Sequence, residues 1–229
     1  MAQNKNISGF LIIPAVALAT AATFLTFNPN SSISFIAPAH AKEGIAIAAP
    51  KLVIKEPAGQ QVAIFAGGCF WGIEGVYEHV KGVIRVESGY AGGTKADADY
   101  ERVASGATKH AEAVRVVYDP KKISYNELLH IFFSVAHDPT QLNYQGPDHG
   151  PQYRTAIFPV TAAQSKAAKA YIAQLSANSP WGRKIVTTIE SGTFFPAESY
   201  HQDFMANYPN HPYIRTWDAP KLGNLKRLF

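Results

Sequence analysis

The chain has 229 residues, 47% apolar and 17% charged, with a mean hydropathy of −0.08, a balance that excludes a disordered or fibrous protein. A net charge of +4 without a basic run gives no support to nucleic-acid binding. A single cysteine, Cys69, excludes an intramolecular disulfide and a cysteine-based zinc cluster.

Residues 1–41 carry Lys5 as their only charged side chain at neutral pH, then an apolar stretch from Phe10 to Phe27, then Ala39-His40-Ala41. This is the layout of a signal peptide with an Ala-x-Ala cleavage site. An uncleaved anchor is the weaker alternative, because the stretch only reaches the lower length limit of a spanning helix and Pro14, Thr20, Thr23 and Thr26 interrupt it. The expectation is an exported, periplasmic protein without stable membrane insertion after cleavage. In such an oxidising compartment a lone thiol is exposed to oxidants. Residues 42–60 hold Ala49-Pro50 and Pro57-Ala58-Gly59 and read as a linker or N-terminal arm, with too few apolar positions to build a core element.

Residues 61–229 read as one globular domain. The run 62–66 predicts a buried strand halted by Gly67-Gly68, and Phe70, Ile73, Tyr77 and Val80 recur at helical spacing before Gly82. Residues 83–90 and 110–118 predict strands, the second closed by Asp119-Pro120. Ser124 with Glu127 predicts a capping box opening a helix through Leu128, Leu129, Phe132 and Phe133. Residues 152–160 predict a strand, Thr161 with Gln164 a second, Ala-rich helix, and 185–189 a last strand. Interleaving without a strict βαβ repeat suggests an α+β fold, a two-layer α/β sandwich around a mixed sheet. The irregular connection 138–150 is long enough to be functional rather than a plain link.

Cys69 falls between the first strand and its helix, where unpaired backbone N–H groups and the positive end of the helix dipole favour an anion, so a lowered thiol pKa is expected. A lone cysteine is more often a small buried hydrophobe. The preceding glycines, the helix start and the adjacent Phe70 and Trp71 tip the balance toward a reactive thiol. No His-x-x-x-His or Cys pair supports a metal site, and no cofactor is expected.

Gly68-Cys69-Phe70-Trp71-Gly72 resembles the signature of the A-type peptide methionine sulfoxide reductases. The similarity continues in order through Ser88-Gly89-Tyr90-Ala91-Gly92-Gly93, Tyr100-Glu101-x-Val103, His110-Ala111-Glu112-Ala113-Val114, Tyr118-Asp119-Pro120 and His137-Asp138-Pro139-Thr140. It closes with Gln145-Gly146-x-Asp148, Gln152-Tyr153-Arg154 and Ala197-Glu198-x-Tyr200-His201-Gln202, covering about residues 61 to 210. The resemblance implies a ferredoxin-like sheet and long irregular loops. It also implies reduction of the S epimer of methionine sulfoxide, free and in proteins.

Carried over by position, Cys69 would attack the sulfoxide sulfur and Glu112 would protonate the departing oxygen. Tyr100 and Tyr153 would hydrogen-bond that oxygen, Asp148 would organise the site, Phe70 and Trp71 would hold the substrate methyl, and His201 would line the wall. Taken alone, Tyr100 and Tyr153 are two of 11 tyrosines, Glu112 suits a solvent-facing strand position, and Asp148 suits a turn. The chain departs from the family at Lys109, Tyr144 and Pro151, which bears on loop conformation and substrate preference. It also lacks the resolving cysteines that many members carry near the C-terminus, so a sulfenic acid on Cys69 would need an external thiol, thioredoxin-like or small. A monomer is expected. The rival functions are a single-cysteine thiol peroxidase and a binding module for oxidised methionine.

Overall fold

The computed structural model describes residues 43–229, and the signal peptide expected over 1–41 lies outside them. No helix among the described residues is long and apolar enough to cross a membrane. The elements run β1 (Gln61–Gly67), α1 (Phe70–Glu78), β2 (Val83–Ala91), α2 (Tyr100–Ala104), β3 (Ala111–Tyr118), α3 (Tyr125–Ile131), β4 (Tyr144–Gln145) and β5 (Asp148–His149). They continue with β6 (Thr155–Ile157), α4 (Ala162–Ala177), β7 (Thr188–Ile189), β8 (Phe194–Pro196), α5 (Phe204–Asn207) and α6 (Ala219–Leu228).

Six strands form one mixed sheet in the order β7-β6-β1-β3-β2-β8, antiparallel except for the β6–β7 pair, while β4 and β5 form a separate two-stranded ladder. The central β6-β1-β3-β2 block, threaded β1-α1-β2-β3-α3-β6, is the ferredoxin-like arrangement. Alternation along the strands divides the sheet into two faces. Ala63, Phe65, Val114, Val116, Tyr118 and Ile157 point into the main core with α1, α3 and α4. Ile64, Ala66, Ala113, Ala156 and Phe158 form a thinner layer on the other side. The Ser124–Glu127 capping box forms with both reciprocal hydrogen bonds, and Thr161 accepts from the Gln164 amide to open α4. After α3 the chain widens into a π-turn, Phe132–Ala136, and leaves it at an extended His137.

Two strand expectations are corrected. Residues 152–160 contain only the three-residue β6, because Pro151 lacks an N–H and its segment coils into a 3-10 turn, Pro151–Tyr153, after Gly150 at φ 133°. That turn takes Tyr153 out of the sheet. Residues 185–189 pair only through Thr188 and Ile189, and β7 is not the last strand. The short β8 adds to the β2 edge at Gly89, where a Cβ would lie 2.3 Å from the Phe195 carbonyl oxygen, so the pairing depends on a residue without a side chain.

Residues 43–60 form no helix or strand but lie along α3 and α4. The Ile45 amide donates to Ser134 O, the Tyr171 hydroxyl to Ala48 O and the Tyr125 amide to Glu56, while Ile45, Ile47 and Ile54 pack on the core. The isolated apolar positions of this segment therefore do contribute to the core, at its edge.

Candidate active site

Cys69 is the N-cap residue of α1 and follows Gly68, whose φ of +102° suits a residue without a side chain. A Cβ on Gly68 would lie 2.5 Å from Gln145 Cγ, so the glycine also admits the 138–150 loop against the thiol. The sulfur is half-buried and receives the Trp71 amide. The expectation of a lowered thiol pKa is overturned. Burial pushes the Cys69 thiol well up, the carboxyl groups of Glu112, Asp218 and Asp148 add to the shift, and the Trp71 amide opposes it. Without substrate, Cys69 is a thiol.

Glu112 sits on β3 with the parity of Val114 and Val116, hence on the face covered by α1. It is 2% exposed, and Oε2 accepts the Phe70 amide at 3.1 Å, so acid and thiol meet at one helix start. Burial raises its pKa to about 8, with Asp148 and Asp218 adding to the rise and the Phe70 amide reducing it. The carboxyl group is therefore protonated at neutral pH, unlike an ordinary solvent-facing strand glutamate.

Tyr100 opens α2, with its amide donating to Glu198 Oε1 at 3.0 Å and its ring centroid 4.5 Å from that of His201. Glu198 also accepts the Tyr90 hydroxyl at 2.8 Å. Burial works against its ionisation, but these donors hold its carboxyl below the usual range. Tyr100 and Tyr153 both titrate above the usual phenol range. Burial is the main cause, and Glu112, Asp148 and Cys69 act on both, which puts the two hydroxyls in one electrostatic neighbourhood as proton donors. Asp148, on β5, accepts the Tyr213 hydroxyl and is raised by burial.

The Phe70 ring is buried, with centroids 5.9 Å from Tyr90 and 5.0 Å from His201. Trp71 stacks on Phe204 at 3.7 Å, meets Tyr213 edge-on at 5.9 Å, and donates from Nε1 to His201 Nδ1 at 3.2 Å. That bond assigns the His201 proton to Nε2, and burial lowers the ring's pKa, so it is neutral. Of the departures, Tyr144 stacks on His149 at 5.4 Å and the Lys109 carbonyl accepts from Arg154.

The sequence reading missed the C-terminal contribution. Tyr213 and Phe204 wall the indole, and Asp218 is buried under Gly72, where a Cβ would lie 2.1 Å from Oδ1. Lys221 joins Asp218 at 3.3 Å and Glu43 at 3.8 Å. A cavity of about 390 Å³ opens beside Cys69 between Gln145-Gly146-Pro147 and this tail. These residues lie some distance along the chain from the motif, and only the Pro at the start of α6 hinted locally at a helix there. Among the described residues, the one cluster of metal-type side chains is Glu74, Glu78 and Asp203, and it does not include Cys69.

A lone thiol beside a protonated carboxyl group and two phenol donors suits removal of an oxygen atom from a substrate, with the oxygen protonated as it leaves. Residues 61–228 match the family described as Peptide methionine sulfoxide reductase. Peptide methionine sulfoxide reductase MsrA 2 of Mesorhizobium japonicum is 56% identical over 176 residues, covering 76% of this chain and 90% of that protein. The protein of the same name from Synechocystis is 51% identical over 172 residues, covering 75% and 80%. Among solved structures, reduced Mxr1 from Saccharomyces cerevisiae superposes with a TM-score of 0.62 at 36% identity, covering 70% of this chain and 92% of that one. Methionine sulfoxide reductase A of Corynebacterium diphtheriae gives 0.58 at 30%, covering 74% and 86%. The chain belongs to the peptide methionine sulfoxide reductase family, A type, whose members are oxidoreductases acting on the sulfur of methionine S-sulfoxide. Neither the peroxidase nor the binding-module reading is favoured.

Proposed function

We propose that this chain is an exported, monomeric repair enzyme that reduces methionine S-sulfoxide, free and in proteins, with Cys69 as nucleophile and Glu112 as acid. The observation that carries the reading is the Glu112 carboxyl group, protonated at neutral pH and bonded to the amide of the residue next to Cys69. Cys69 attacks the sulfoxide sulfur, Glu112 gives its proton to the leaving oxygen, and the thiol proton replaces it. The oxygen ends on Cys69 as a sulfenic acid. Methionine sulfur gains two electrons and Cys69 loses two.

Tyr100 and Tyr153 donate to the oxygen as charge develops on it, and Asp148 orients the loop through Tyr213. The apolar face of Trp71, backed by Phe204, receives the methyl group, with Phe70 and His201 behind. An external thiol, thioredoxin-like or small, then attacks the sulfenic acid, and a second thiol releases Cys69. Export rests on Lys5, the apolar stretch and Ala39-His40-Ala41, and N-terminal sequencing of the native protein should begin near Lys42.

The test supplies the purified protein with separated sulfoxide epimers and excess dithiothreitol. The S epimer should be consumed, the R epimer left, and Cys69→Ser should be inactive. Equal use of both epimers, or turnover by Cys69→Ser, overturns the reading.

A further inference from the structure

The charges around Cys69 are unbalanced. Carboxyl groups face it from β3 (Glu112), β5 (Asp148) and the turn before α6 (Asp218). The cavity beside the sulfur has one basic side chain, Lys221. Lys221 is 6% exposed, and its ammonium lies 3.3 Å from Asp218 Oδ1 and 3.8 Å from Glu43 Oε1. A Cβ on Gly72 would lie 3.0 Å from Nζ, so the ammonium rests on the first turn of α1, the turn that Cys69 opens.

A buried ion pair adds little stability over well-packed apolar groups, so stability alone gives no reason for an ammonium here. An attacking sulfur, in contrast, must carry negative charge in a site where burial and the acidic Asp148 and Asp218 resist it, joined by Glu112 once that group loses its proton above about pH 8. A cation acts strongly at short range where water is excluded. We propose that Lys221 is a positioning residue whose ammonium is the counter-charge of Cys69, with Glu43 of the N-terminal arm setting how much of that charge the sulfur feels. The proposal rests on the reading of Cys69 as the nucleophile.

The other groups facing Lys221 are Asp218 on its own tail, Asp148 on β5 and His137 at the end of the π-turn. His137, lowered to about 4 chiefly by burial, is neutral at the pH of interest. Lys221 in turn titrates above the usual range: burial lowers it, but Glu43, Asp218 and Cys69 outweigh that effect, so it remains an ammonium throughout. Glu43 is pushed up to about 7, mainly by burial, and so carries its charge only above that pH.

The chain's single cysteine makes the measurement unambiguous: the rate of iodoacetamide alkylation of the purified full-length protein, followed from pH 6 to 10. Lys221→Met should displace the profile to higher pH and slow alkylation at neutral pH roughly tenfold, and Lys221→Arg should restore it. Glu43→Gln should do the opposite, leaving the rate unchanged below pH 7 and raising it above, because it removes an anion that competes for the ammonium. A folded Lys221→Met with the parent profile overturns the proposal, as does a Glu43→Gln that slows alkylation. Where Lys221→Met fails to fold, the sign of the Glu43→Gln effect decides. Wild-type sulfoxide turnover is measured alongside. Its absence with the expected alkylation shifts would refute the enzymatic reading and leave the counter-charge standing.

Discussion

At the scale of single residues, the site depends on groups kept in the less usual protonation state. Glu112 is buried between β3 and α1 and holds its proton to about pH 8, and Cys69 is held as a thiol by the same burial and by its acidic neighbours. A carboxyl group whose pKa is raised is an acid below that pKa and an anion above it. The rate of the first turnover, read as methionine formed by pre-reduced enzyme, should therefore fall as pH rises through about 8. Glu112→Gln keeps the shape and can still face the Phe70 amide through its oxygen, but it has no proton to give. Its single-turnover rate at pH 7 should drop by about 10²- to 10⁴-fold, and the limb near pH 8 should vanish. A persistent limb would assign that titration to another group.

At the scale of elements, α1 and the C-terminal tail are fitted to each other through glycine. Gly72 and Gly223 both lie inside helices, where replacement by alanine ordinarily stabilises by about 0.5–1 kcal/mol. Nothing lies within 4 Å of a Cβ on Gly223, so Gly223→Ala should follow that rule. A Cβ on Gly72 meets Asp218 Oδ1 at 2.1 Å, and the buried Asp218–Lys221 pair would have to move. Gly72→Ala should therefore destabilise by about 1–3 kcal/mol, with urea unfolding midpoints moving in opposite directions for the two variants. The same fit explains a motif position: the glycine after Trp71 makes room for the tail that walls the indole.

At the scale of the whole molecule, one thiol limits what a single chain can do. A disulfide within the chain is impossible, so oxidised Cys69 waits for a partner. Pre-reduced enzyme mixed with excess sulfoxide and no reductant should yield one methionine per chain and one sulfenic-acid probe adduct, located at Cys69. Two methionines per chain would require a second redox-active group. The N-terminal arm and the C-terminal tail both reach the site, Glu43 from one and Tyr213, Asp218 and Lys221 from the other. The cavity beside Cys69 is thus built from both ends of the described chain.

The sequence determined by itself what depends on near neighbours. The strand, glycine turn and helix around Cys69, the two helix caps opening α3 and α4, and the ordered motifs from Gly68 to Gln202 all rest on short spacings that the backbone translates directly into structure. Even the burial of Glu112 was legible in principle, since it shares strand parity with Val114 and Val116. Tertiary structure alone decided the state of the thiol. A helix start favours an anion, but burial and carboxyl groups from β3, β5 and the tail outweigh one amide. It also decided that β8 would dock on Gly89 and that Lys221 would reach the first turn of α1. Each depends on groups brought together from distant parts of the chain, whose electrostatic and steric effects no local spacing encodes.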